Sequence, residues 1–204
     1  MPRPRSLTQD QIAEAALAVI DRDGLPALSM RAVAAELGMS TMALYRYVDD
    51  RQELEGLVVE LVLGGVDLSP PSGTSWRERI AVLVARMRDH VGAHPGAVPL
   101  TMTHRHRSLG ILRWSEAVLG VLAEAGVEGR ERVVALRGLL SYTIGAIQLE
   151  HLASLSGTGT TALAGLPRAE FPYTAETAGH ARLVDADEEF HGGLDLLLRG
   201  IRGT

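Results

Sequence analysis

Between Gly38 and Asp50 the chain reads "GMSTMALYRYVDD" and has room for barely two turns of helix. Gly38 suits the left-handed position that closes a helix, and Ser40, two residues on, is a strong N-cap. One helix must end and another begin within a tight turn. Asp50 caps a further helix, so the segment that opens at Ser40 is confined on both sides. A helix this short is unstable by itself and needs seating on its neighbours. Leu44 and Val48, with Met39 placed as a staple for Leu44, supply that seat. Ser40, Thr41, Met42, Tyr45, Arg46 and Tyr47 are left for something else.

The flanking sequence is helical in period almost throughout. In "LTQDQIAEAALAVIDRDG", Ile12, Ala16, Val19 and Ile20 fall on one face, Thr8 and Gln11 form a capping box, and Leu7 can staple to Ile12. In "LSMRAVAAELG", Ser29 caps and Met30, Val33, Ala34 and Leu37 share a face. A fourth helix starts at Asp50, with Glu53 completing a capping box, and runs through "LEGLVVELVLGGVDL". After the break "SPPSGT", Ser75 and Glu78 open "SWRERIAVLVARMRDHV". "GAHPGAVPL" is a second break, followed by "LGILRWSEAVLGVLAEAG" and the longest, most apolar stretch, "RERVVALRGLLSYTIGAIQLEHLASL". "SGTGTTALAGLPRAEFPYT" reads as a loop. "EFHGGLDLLLRGIRG" closes the chain with Phe190, Leu194, Leu197, Leu198 and Ile201 on one stripe. No strand alternation and no internal repeat is visible. The reading is an all-α protein: residues 1–50 form a three-helix helix-turn-helix domain, and 51–204 a larger helical domain that begins with a linking helix, 51–67.

Composition limits the function. The 204 residues contain no cysteine, which excludes disulfides and thiolate metal sites and fits a reducing cytoplasm. The N-terminus lacks a signal-peptide pattern, and no window approaches the ~20 apolar residues of a membrane span. Net charge is −5, and residues 1–54, with six arginines and eight acids, carry −2. Any nucleic-acid contact must therefore come from a local cluster. No phosphate-binding loop, nucleophile elbow, zinc-protease or dinucleotide fingerprint is present, so nothing points to an enzyme or to a cofactor.

Two short helices joined by "LGMS" have the geometry of a helix-turn-helix, whose second helix enters the DNA major groove. Hydroxyls and arginine can bond phosphates and base edges, and small apolar groups can touch thymine methyls. Tight three-helix turns also occur in proteins that never touch DNA, so spacing alone leaves both readings open.

The string "ALSMRAVAAELGMSTMALYRYVDDRQEL" closely resembles the helix-turn-helix signature of the TetR family of bacterial transcriptional repressors, over about residues 8–60. "SGTSWRERI", "AHPGAVPL", "SYTIGAIQLEH" and the final apolar helix resemble the ligand-binding body of the tetracycline-repressor subgroup. The resemblance implies these roles. Thr8 caps and reaches a phosphate, Ser29 caps the second helix, and Arg31 reads a guanine or grips the backbone. Ser40, Thr41, Met42 and Ala43 face the bases, with Arg46 beside them. Tyr45 and Tyr47 pack against and bond phosphates, as does Arg51. Asp49 departs from the pattern, standing where many members have lysine. Arg3 and Arg5 either enter the minor groove or form a solvated tail.

A two-fold partner is implied, because two recognition helices must meet successive major grooves ~34 Å apart. The apolar helices 129–156 and 187–202 are the candidate homodimer surface, with Gly138, Ser141, Gly145, Gly192 and Gly193 permitting close approach. Candidate ligand contacts are Met87, Met102, His104, Trp114, Leu139, Tyr142, Ile147, Gln148 and Glu150; the same residue types at helical spacing also fill ordinary cores. "THRHRSLG" invites a metal reading, but histidines at i and i+2 diverge on a helix, and no metal is expected. The resemblance places Leu100 near where the tetracycline repressor holds a metal–drug chelate with a histidine, so a small organic inducer rather than tetracycline is expected. The expected function is a repressor released from a palindromic double-stranded operator by that inducer. The alternative is a helical interaction or architectural module with a degenerate head and no inducer response.

Overall fold

The computed structural model describes residues 7–104, 107–152 and 154–202, which form helices and turns with no strand among them. In chain order the helices are α1 (Gln9–Asp23), α2 (Met30–Glu36), α3 (Thr41–Leu44), α4 (Arg51–Gly64), α5 (Trp76–Gly92), α6 (Val98–Thr103), α7 (Leu109–Glu124), α8 (Gly129–Leu152), α9 (Thr158–Ala164), α10 (Pro172–Ala181) and α11 (Ala186–Gly200). The all-α class is as the sequence predicts. The packing divides into two units. The first runs up to Ser69 and includes Asp89–Ala117; the second is Pro70–Arg88 with Val118 onward. α5 and α7 each contribute residues to both.

In the first unit α1 packs on α2 and α4, α3 packs on α2, and α4 also meets α6. The period predicts the core: Ile12, Ala16, Val19, Ile20, Val33, Ala34, Leu44 and Val48 are all buried. The caps follow the side chains. Thr8 Oγ1 accepts from the Gln11 N–H at 3.2 Å while Gln11 Oε1 accepts from the Thr8 N–H at 3.1 Å. Ser29 and Ser40 accept from the Ala32 and Ala43 N–H groups. Gly38 sits at φ +66°, the left-handed conformation that lets α2 stop and the chain turn. At α4 one expectation needs correcting. Asp50 caps the Glu53 N–H at 2.9 Å, but the Glu53 carboxylate accepts from the Asp49 N–H, at 2.7 Å, instead of from Asp50. Asp50 is extended (φ −155°), and the N–H that Glu53 satisfies is the one before it.

The linking helix α4 is tied into this unit along its length. The Glu60 carboxylate accepts from two N–H groups at the start of α7, Leu109 at 2.7 Å and Gly110 at 3.3 Å. A Cβ on Gly110 would lie 2.6 Å from Leu63 Cβ, so the glycine lets α7 start directly against α4.

In the second unit α8 packs with α11 and α9 with α10. The segment read as a loop after α8 holds α9 and the first turn of α10. Pro172 at the first turn of α10 fixes a helical φ, and Ala175 and Ala178, one turn apart, are its buried positions. The break "GAHPGAVPL" likewise contains a 3-10 turn, Pro95–Ala97, and the start of α6. Asp185 caps α11, and Phe190, Leu194, Leu198 and Ile201 are buried, with Leu197 partly so. Among the described residues no helix is long and apolar enough to cross a membrane.

Candidate nucleic-acid interface

α3 is seated as the sequence predicts. Leu44 of α3 and Val48 in the turn after it are 0% and 1% exposed, whereas Met42 of α3 is 76% and its C-cap Tyr45 46% exposed. A methionine this open on a helix otherwise well seated is not explained by the core. Ser40 and Arg46 are exposed, and Thr41, Ala43 and Tyr47 are half-buried. Arg31 on α2 is exposed, and neither it nor Arg46 forms an ion pair among the described residues. Both cations are thus available to phosphate. Thr8 and Ser29 keep their capping bonds at the first turns of α1 and α2. Arg3 and Arg5 lie outside the described residues.

Arg51 is placed differently from Arg31 and Arg46. It is the first residue of α4, and its Nε donates to Glu55 Oε1 at 2.9 Å, one turn along the helix. The second carboxylate oxygen of Glu55 meets His104 Nε2 at 3.0 Å. His104 closes α6, and its carbonyl accepts from the Arg107 and Ser108 N–H groups. A cleft of about 440 Å³ runs beside these residues, lined by Gln52, Glu53, Leu57 and Glu60 of α4 together with His104 and Arg107.

The second unit holds another polar cluster. Arg88 of α5 is 6% exposed. It donates to Glu150 Oε2 at 3.1 Å and to Asp187 Oδ1 at 2.7 Å, and its guanidinium lies 4.6 Å from the centre of the Phe190 ring. Burial works against this charge, but the bonds to Asp187 and Glu150 outweigh it and raise the Arg88 pKa. The same bond holds the Asp187 carboxyl below the usual range. Tyr142 donates to the Phe190 carbonyl at 2.6 Å, and burial pushes its phenol upward. Gly193 makes this possible, because a Cβ there would collide with the Tyr142 hydroxyl. A mostly apolar cleft of about 250 Å³ opens beside Arg88, Tyr142, Leu149, Glu150 and Phe190.

The expected ligand contacts are accordingly dispersed. In the second unit Tyr142 and Glu150 line this cleft, Met87, Leu139 and Ile147 are buried core, and Gln148 is exposed. In the first unit His104 lines the α4 cleft, Trp114 is fully buried and Met102 is exposed.

Comparison with known proteins settles the class. Residues 12–54 match the family described as bacterial regulatory proteins, tetR family, and 69–204 match the tetracyclin repressor-like C-terminal domain. The chain belongs to the TetR family. This regulator is 34% identical over 204 residues to an HTH-type transcriptional regulator of Saccharopolyspora erythraea, covering 97% of this chain and 86% of that one. It is 32% identical to the HTH-type transcriptional repressor DrrR1 of Streptomyces coeruleorubidus, covering 78% of this chain and 60% of that one. Among solved structures it is similar to the TetR family protein ActR of Streptomyces coelicolor in complex with (S)-DNPA, with a TM-score of 0.83, 26% identity, and 97% and 98% of the two chains covered.

In this TetR-family chain, α2 and α3 fall within residues 12–54, the stretch that matches the tetR family model. The sequence did not single out Glu55, Glu60 or Arg88, and it marked Phe190 only as part of the apolar stripe of the last helix. The Glu55–His104 and Arg88–Glu150 partners lie 49 and 62 residues apart, and no local period records such pairs. The only signal available was a carboxylate at i+4 from Arg51.

Proposed function

We propose that this chain is a homodimeric repressor that leaves a palindromic operator when a small organic ligand binds its larger helical domain. The observation that carries the DNA half is α3: a capped, four-residue helix held by buried Leu44 and Val48, with Met42 and Tyr45 turned to solvent. Arg31, Thr41, Ala43, Arg46 and Tyr47 complete the reading surface, and Asp49 and Asp50 limit non-specific attraction to phosphate. Support for the ligand half comes from ActR, solved with (S)-DNPA, and from the repressor name of DrrR1. The clefts beside Tyr142 and beside His104 are the candidate sites.

The dimer surface is read from α8 and α11. Val133, Val134 and Leu149 on α8, and Leu196 on α11, are 53–70% and 71% exposed. Gly145 and Gly192 have open space where a side chain would stand, which suits close packing against a second copy. The functional boundary runs near residue 50, with α4 carrying ligand state to the reading head. By linkage, ligand must favour the non-binding state by the factor through which it weakens DNA binding.

Selection of bound fragments from genomic DNA by the purified protein tests the reading. A recovered palindrome, bound by a dimer with steep salt dependence, supports it. Arg31→Ala and Tyr45→Ala should each lower operator affinity about fivefold or more while leaving the dimer intact, since one contact is worth about 1–3 kcal/mol. Recovery of no preferred sequence would favour a helical interaction module instead.

A further inference from the structure

Glu55 is a carboxylate with two claimants. Arg51 Nε holds one oxygen at 2.9 Å and His104 Nε2 the other at 3.0 Å. The Glu55 and His104 side chains are only 15% and 13% exposed, whereas Arg51 is 48% exposed. The placement of Arg51 is unfavourable for the helix itself. A cation in the first turn opposes the helix dipole, and arginine preceding glutamate by four is the weaker order for such a pair. To reach Glu55, the Arg51 side chain must run toward the C-terminal end of α4, away from the turn that follows α3. The natural lean of a helical side chain is the opposite one, toward the N-terminus. A phosphate beside the start of α4 would draw Arg51 that way, since a helix N-terminus also favours an anion.

We propose that Glu55 is a positioning residue that latches Arg51 back from operator phosphate, and that His104 sets the strength of the latch by sharing the same carboxylate. With His104 bonded, the charge of Glu55 is divided between two donors and Arg51 is released readily to DNA. When His104 is withdrawn, the full carboxylate falls to Arg51, the latch tightens and one phosphate contact is lost. His104 closes α6 and lines the cleft beside α4, so a ligand that engages His104 there lowers operator affinity through Arg51. This mechanism rests on the operator-binding reading above and names the residues through which one ligand site acts.

The test uses the full chain, the palindrome recovered by selection, and fluorescence anisotropy across a salt series. Glu55→Gln should tighten binding about 3- to 10-fold, because Arg51 then reaches phosphate without first leaving a carboxylate, with little change in the log–log salt slope. In an Arg51→Ala background, Glu55→Gln should have no effect. His104→Ala should weaken binding by a few-fold, His104→Gln, which keeps a donor, should restore it, and His104→Ala combined with Glu55→Gln should match Glu55→Gln alone. An equal gain from Glu55→Gln with and without Arg51 would mean simple removal of a negative charge and would overturn the latch. So would a His104→Ala effect that survives Glu55→Gln. Failure of the unaltered protein to bind any sequence would instead overturn the operator reading, and the latch with it.

Discussion

Glu55 and Arg88 are each one charge held by two partners, and they differ in where those partners lead. Arg88 is a buried cation held by two carboxylates, Glu150 and Asp187, with an aromatic ring beneath it. All of these lie within the second unit, and the cluster ties α5, α8 and α11 together. Glu55 is a shielded anion whose partner Arg51 stands at the solvent edge of the DNA-binding head. The same kind of bond therefore does two jobs. Where every partner is internal, the arrangement fixes packing; where one partner is at the edge, the arrangement can be exchanged for an external ligand.

This contrast can be broken most directly at Arg88. Arg88→Leu should lower unfolding stability by about 2–3 kcal/mol, the range for bonds to a charged group plus lost ring packing. Denaturant melts measure it, and an unchanged midpoint would remove the distinction. Gly193→Ala is expected to cost about 1–2 kcal/mol, because its Cβ displaces the Tyr142 hydroxyl from the Phe190 carbonyl. Glu55→Gln should move stability by less than about 1 kcal/mol, because the half-exposed Arg51 turns to water and the Gln amide oxygen still accepts a hydrogen bond from His104, even though the change alters operator affinity. The smallest effect is at acid pH. Asp187 has a folded-state pKa below its ordinary value, so its bond to Arg88 stabilises above the unfolded pKa. That contribution disappears as pH falls through the folded value. Asp187→Asn should thus lower the melting temperature near neutrality and converge with the unaltered protein at low pH.

The head was legible because its information is local. Each of Thr8, Ser29, Gly38, Ser40 and Asp50 acts within three residues of itself, and the buried face repeats every turn. The second unit hid more. α9, "TGTTALA", opens on four weak helix formers and buries none of its residues, so neither its start nor its period marks it. α10 was missed too, although Pro172 at its first turn is a helix-start signal that the sequence carries. The candidate ligand contacts fared unevenly for a physical reason. Burial at Trp114, Leu139 and Ile147 follows from apolarity, but sequence does not separate a side chain that fills a core from one that lines a cleft.

The junction of α4 with α7 limits how the reading head can respond to anything. Glu60 grips two N–H groups at the first turn of α7, and Gly110 leaves no clearance over Leu63. Sliding one helix along the other would break both bonds and drive backbone into a side chain. The junction therefore fixes the register of α4 against α7: anything that shifts the start of α7 along α4 must first break the Glu60 bonds at Leu109 and Gly110.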